Sequence, residues 1–303
     1  MTDLLGAEPD RLRAHVRALE GERHPDGSPE ALAGAVAYVA DQLAALGLSV
    51  RRRPFRFGGR DFANVVGEIP GSDPAAPRVL VGAHFDSVLG TPGADDNASG
   101  VAGVLECARL LAGTRPRAPI ELVGFNLEER QGWTYRVGSR RWVAQARRAG
   151  VRYRGALVLE MIGFSSRAPE SQTIPWPIRW MKLPRVGDYL AAVGDTGSRA
   201  LLAAFLDAAR EHAPDLPVVP LHSPLRGWLV WATRRSDNAS FWSRGYPALL
   251  LTDTANLRNP HYHRASDRVE TLDLAFAARV TDAVAACVHR LAGDEVGGHA
   301  RRR

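Results

Sequence analysis

The chain has 303 residues, of which 45% are hydrophobic, so it is long enough to bury a substantial core. Its formal net charge is +6, but the basic residues are spread along the chain and end in Arg301-Arg302-Arg303, and no helix-turn-helix, zinc-finger or base-stacking pattern accompanies them. A nucleic-acid partner is therefore not expected. No apolar stretch reaches the roughly 18 to 20 residues of a membrane span and no signal-like core opens the chain, so the expectations are no membrane partner and a cytoplasmic location.

Apolar residues at helical spacing predict a helix over Pro29 to Leu46, stopped by Gly47. Two strands, Leu48 to Phe57 and Phe62 to Ile69, follow with Gly58-Gly59 as the turn between them; Arg51-Arg52-Arg53 reads as a solvated strand face. From Val79 to Ala83 the apolar run is unbroken, as in a strand covered on both faces. Next come a helix over Ser99 to Ala112, a strand within Pro119 to Leu127, a helix over Ser139 to Ala149 and a strand over Gly155 to Leu159. Later elements are a helix over Arg199 to Glu211, a strand over Tyr246 to Leu251 and a closing helix over Thr271 to Leu291. This alternation predicts an α/β three-layer sandwich, a mostly parallel mixed sheet with helices on both faces. Cys107 and Cys287 lie in helical stretches and read as buried free thiols. With no repeat or linker, residues 1–303 are expected to form one domain with a flexible basic tail at 293–303. The prolines and tryptophans of 164–187 predict a long irregular loop of the kind that shapes binding sites.

Five polar stretches stand at or just beyond predicted strands: Ala83-His84-Phe85-Asp86, Ala94-Asp95-Asp96-Asn97, Leu127-Glu128-Glu129, Leu159-Glu160-Met161 and Tyr262-His263. In open α/β sheets such strand ends converge on the ligand site. Taken singly, His84 is an ordinary hydrogen-bonded residue and Asp96 a helix cap. Together they would gather several acidic side chains in one place, and a dication is what holds such a group together. Histidine nitrogen with carboxylate oxygen suits zinc, a shared carboxylate would bridge two ions, and manganese or cobalt could occupy the same ligands.

His-x-Asp after a strand, Gly-Ala-Asp-Asp-Asn-Ala-Ser-Gly, Glu-Glu, an acidic residue before Met-Ile-Gly, and Tyr-His-x-x-x-Asp resemble the co-catalytic zinc aminopeptidase family, which has glutamate carboxypeptidases and glutaminyl cyclases among its relatives. The resemblance runs from about Glu22 to Leu272. It implies that His84 and Glu160 bind one zinc, Glu129 and His263 the other, and Asp96 both. Asp86 would orient the His84 imidazole, and Glu128 would be the general base, taking a proton from the attacking water and delivering it to the leaving amine. Adjacent carboxylates on an extended segment face opposite ways, so this division of labour requires a turn, which Gly132 permits.

The pattern departs from the family in places. Glu160 stands where aspartate is common, Arg130 to Val137 reads as an insertion, and Asn238 replaces a histidine in Arg235-Ser236-Asp237-Asn238, leaving Asp237 as an amine-binding carboxylate or a helix cap. His261 competes with His263, which has the better context, and Asp253 suits a turn cap. Trp176, Trp180, Trp228 and Trp231 could wall an apolar side-chain pocket. The resulting expectation is a two-zinc aminopeptidase acting on peptides with a free N-terminus and preferring apolar or aromatic first residues. The alternatives are a carboxypeptidase, a glutaminyl cyclase-like acyltransferase and a degenerate, non-enzymatic binding module.

Overall fold

Eight strands make one sheet in the computed structural model, which describes residues 6–293 except 131 and 133. They are β1 (Ser49–Phe57), β2 (Arg60–Ile69), β3 (Arg78–His84), β4 (Ile120–Phe125), β5 (Tyr153–Glu160), β6 (Leu190–Gly194), β7 (Val218–His222) and β8 (Ala248–Thr252), in the order β1-β2-β4-β3-β5-β8-β6-β7. The central strands β4, β3, β5 and β8 are mutually parallel. Antiparallel pairings of β2 with β4 and of β6 with β8 attach the flanks. Strand order reverses at β3, whose successors β4 and β5 lie on its two sides, and at such a switch point the strand ends open into a crevice.

Alternation along the strands builds two cores. Val79, Val81 and Leu157 pack with α1 (Pro9–Leu19), α2 (Pro29–Ala45), α3 (Gly100–Leu111), α5 (Arg199–His212) and α7 (Leu274–Ala292). Leu80, Val123 and Val158 face the other way, against α4 (Val137–Arg148) and α6 (Asn238–Ser243). The three-layer α/β arrangement matches the expectation. Cys107 and Cys287 are buried and unpaired, and Arg51 and Arg52 are exposed on β1.

Three elements escaped the sequence reading. Helix α1 is tied to α3 by Arg11, whose Nε donates to the Glu106 carboxylate at 2.9 Å. Strand β6 (Leu-Ala-Ala-Val-Gly) holds three residues that strands disfavour, and β7 (Val-Val-Pro-Leu-His) is interrupted by Pro220, which it keeps by lying at the sheet edge. The loop at 164–187 is mostly irregular, with a single 3₁₀ turn at Trp176–Ile178 and a bridge from Ser166 to Gly187. The tail expected at 293–303 lies, beyond Gly293, outside the described residues.

Candidate metal centre

The carboxyl ends of the parallel strands deliver the polar side chains. His84 is the last residue of β3 and Glu160 the last of β5; Glu128 and Glu129 follow β4, and His263 lies in the loops after β8. The Asp96 carboxylate stands between the two imidazoles, with Oδ1 3.5 Å from His84 Nε2 and Oδ2 3.1 Å from His263 Nε2. Glu160 Oε2 is 3.4 Å from His84 Nε2, and Glu129 Oε1 is 3.7 Å from His263 Nε2. One ligand atom from each of His84, Asp96 and Glu129 fits within 4.8 Å of the others. His261 points elsewhere, its Nδ1 3.0 Å from the Ser266 hydroxyl.

Local backbone chemistry aims these groups. Asp86 touches His84 chiefly through its backbone: its carbonyl is 3.1 Å from Nδ1, whereas its carboxylate is 3.6 Å away. That carboxylate accepts the Glu128 amide on one oxygen and the Glu129 amide on the other, both at 3.0 Å. Gly132 does take the left-handed conformation, at φ +61°, and the residue just before the glutamates, Leu127, makes a turn of its own at φ +56°. It is held by bonds from the Arg136, Val137 and Gly138 amides to the carbonyls of Glu128, Leu127 and Asn126. At Gly138 a Cβ would stand 2.2 Å from the Asn126 carbonyl oxygen, so glycine is required there.

The Asp95-Asp96 turn is fixed from below. Asp267 accepts both of its amides, at 2.8 and 3.1 Å. Asn97 donates to the Leu159 carbonyl at 2.9 Å and accepts the Met161 amide at 3.0 Å, which binds the turn to the end of β5 beside Glu160. Asp96 therefore faces the histidines instead of capping α3. Two further residues, neither of them among the expected site residues, complete the frame. Ser236 donates to Glu160 Oε2 at 2.6 Å. Arg23, 2% exposed, donates to the carbonyls of Leu19, Gly21, Phe85, Pro92 and Gly93, joining the His84 and Asp96 segments.

Electrostatics mark the centre as cation-seeking. Burial pushes the carboxyls of Glu128 and Glu129 well above the ordinary range, and Glu160 and Asp96, respectively, add to the push. Burial also raises Asp237, to about 7. For Asp96 the burial penalty is outweighed by His263 and His84, which hold its carboxyl low. For His84 burial is outweighed by Glu160, Asp86 and Asp96, which lift the imidazole well above its usual value. His84 Nε2, Asp96 Oδ1 and Glu128 Oε1 are buried with no hydrogen-bond partner. The orphaned His84 nitrogen and Asp96 oxygen, 3.5 Å apart, with Glu160 and His263 beside them, are the donor types zinc takes, so the residues fit the ion.

Two cavities meet here. One, of about 370 Å³, is lined by Asp96, Glu128, Glu129, Glu160 and His263 together with Arg136 and Trp231. The second, of about 110 Å³, is apolar, walled by Ile174, Ile178, Leu183, Val193, Leu221 and Leu250, and touches the first at Glu160 and Tyr262. Trp176, Trp180 and Trp228 line neither cavity; they are 81%, 81% and 64% exposed. Asp237 is buried at the start of α6 without capping it. Asp253 accepts the Ala255 amide at 2.8 Å, as a turn cap does.

The sequence profile of peptidase family M28 matches residues 64–288. The chain belongs to peptidase family M28. The uncharacterized protein YfbL of Escherichia coli K12 is 32% identical to it over 293 residues, covering 92% of this chain and 87% of that protein. A probable leucine aminopeptidase of Trichophyton verrucosum is 28% identical over 249 residues, covering 78% of this chain but 58% of the fungal one. Among solved structures, the Legionella pneumophila aminopeptidase LapA superposes with a TM-score of 0.72 at 20% identity, over 95% of this chain and 73% of LapA. Tannerella forsythia glutaminyl cyclase does so with 0.69 at 21% identity, over 94% and 99%. These structures share the fold with this M28 chain. Membership of M28, with probable zinc metalloproteases among the relatives, makes the chain a zinc-peptidase family member with peptides as the substrate class. Among the described residues no helix is long and apolar enough to cross a membrane.

Proposed function

We propose that this M28 chain is an aminopeptidase that holds two zinc ions, one by His84 and Glu160, one by Glu129 and His263, with Asp96 shared between them. The observation that carries the reading is the placement of the two Asp96 oxygens, each turned to a different imidazole at 3.5 and 3.1 Å. When bound, zinc supplies Lewis-acid polarisation of the scissile carbonyl and acidifies water towards neutrality.

The chain's own groups do the rest. Glu128 Oε1 is buried, unpartnered and on the wall of the larger cavity, so it receives a proton there and returns it to the leaving amine. Burial raises its affinity for protons, the direction that suits a group which must take up a proton and hold it for the leaving amine. Asp86 positions Glu128 by accepting its amide at 3.0 Å. The apolar cavity beside Glu160 takes the side chain of the N-terminal residue and favours aliphatic or aromatic ones.

The test compares leucyl and phenylalanyl p-nitroanilides, their N-acetylated forms and a glutaminyl peptide, in the parent and in Glu128→Gln. Hydrolysis of the free-amine substrates only, with zinc retained but turnover lowered about 10² or more in the variant, is the expected result. Equal hydrolysis of blocked substrates, or pyroglutamate formation without hydrolysis, would overturn the proposal.

A further inference from the structure

The eight most exposed large apolar side chains among the described residues are not scattered. Trp176 (81%), Trp180 (81%), Leu225 (70%), Trp228 (64%), Leu229 (61%) and Trp231 (59%) stand on two segments, 174–183 and 224–235. The remaining two, Leu89 and Tyr135, belong to the same rim: Tyr135 lines the larger cavity, as does Val88, the neighbour of Leu89. The two segments are far apart in sequence but face each other, since Ile174, Pro175, Ile178 and Leu183 from one and Val230, Ala232 and Arg235 from the other wall the same apolar cavity. A collar of exposed rings and leucines thus stands beside the two cavities and reaches the larger one at Trp231 and Tyr135.

The charge of this collar is one-sided. Residues 171–187 contribute the exposed Arg179, Lys182 and Arg185 and residues 223–236 the exposed Arg226 and Arg235, against one exposed carboxylate, Glu170, and the half-buried Asp188 just beyond the ends of the first range. Of these five cations, Arg185 pairs with Glu170 at 3.9 Å and Arg235 lines the cavity of the metal centre, while a further arginine, Arg234, is buried over the Trp228 ring, 4.2 Å from its centroid. Exposing so much apolar surface on one face is unfavourable unless something covers it.

We infer that this collar docks on the surface of an anionic lipid bilayer, with the tryptophans in the headgroup layer and the arginines and lysine against lipid phosphates. Tryptophan is the residue that prefers this depth, and basic residues next to it add electrostatic attraction. A second copy of the chain is a poor occupant, because a symmetric contact would set these cations against their own kind. Docking needs no spanning segment, so the inference replaces the expectation of no membrane partner that was drawn from the lack of one. It presents the metal centre to peptides lying at the bilayer surface and does not depend on the proposed aminopeptidase activity.

The experiment is co-sedimentation of the full chain with phosphatidylcholine vesicles and with vesicles that also contain phosphatidylglycerol, at low and high salt. Binding to the anionic vesicles that weakens with salt is expected, with tryptophan fluorescence quenched by lipids brominated near the headgroup. Arg179→Gln/Lys182→Gln/Arg226→Gln should weaken binding about fivefold per cation removed, roughly 100-fold in all. Trp176→Ala/Trp180→Ala/Trp228→Ala should abolish the quenching, with the thermal unfolding midpoint of both variants checked against the parent. No sedimentation with anionic vesicles at low salt would overturn the inference. So would binding that the charge variant leaves intact, or a dimer in solution that the tryptophan variant dissociates.

Discussion

Replacing Arg23 by lysine probes both the fold and the site. Arg23 is 2% exposed and its guanidinium serves five backbone carbonyls: Leu19, Gly21 at 2.7 Å, Phe85 at 2.7 Å, Pro92 at 2.9 Å and Gly93 at 2.8 Å. Burial lowers it to about 10, with Asp86, Asp267 and Asp96 opposing the fall, so it is charged at neutral pH. Lysine keeps the charge but offers three donors from a single point, so at least two carbonyls lose their partner. A hydrogen bond to a charged group contributes about 1.5 to 3 kcal/mol, which puts the loss at about 3 to 6 kcal/mol. In a chain of this size that lowers the thermal midpoint by about 10 °C. Because Phe85 lies between His84 and Asp86 and Gly93 opens the turn to Asp96, zinc affinity should fall with stability. Scanning calorimetry of the zinc-loaded protein and a competitive zinc titration measure the two effects. A midpoint within about 2 °C of the parent, with unchanged affinity, would refute the role given to this clamp.

Asp86→Asn separates the carboxylate from the backbone carbonyl. The carbonyl that faces His84 survives, but an amide NH₂ must now meet one of the Glu128 and Glu129 N–H groups; turnover should fall more than zinc content, read by activity and metal analysis of the same preparation. Equal losses of both would return the role to His84 orientation. Glu106 has a fully buried side chain; burial opposes its ionisation, but His15, Arg109 and Arg11 outweigh that and hold it down at about 2. A depressed folded value gives stability that is complete above about pH 5 and is lost as pH falls towards 2. Glu106→Gln should therefore cost about 3 kcal/mol in denaturant unfolding at pH 7, and the gap should narrow steadily below pH 5. A gap independent of pH would contradict the ion-pair account.

How far the sequence discloses this molecule depends on whether a feature is local. His84, Glu128, Glu129 and Glu160 could be picked out because each ends an apolar run, and parallel strands bring such ends together wherever the strands lie in the sheet. Asp96 and His263 were found by their motifs. Arg23 could not be read, because its meaning lies in five carbonyls that only the fold assembles. The apolar cavity was hidden in the same way, its wall drawn from β6, β7, β8, the end of β5 and three loops. The tryptophans were taken for pocket walls because large rings are usually covered; here aliphatic side chains fill that position and the rings face outward. For Asp86 the neighbourhood is legible in His-x-Asp, but whether carbonyl or carboxylate meets the imidazole is decided by the difference between 3.1 and 3.6 Å.

The most direct measurement of the central claim is zinc stoichiometry followed against activity as a chelated preparation is titrated back with zinc. Convergence of His84, Asp96, Glu129, Glu160 and His263 on one centre predicts two zinc ions per chain at full activity. Full activity with no metal, or with a single equivalent and no second binding event, would contradict it.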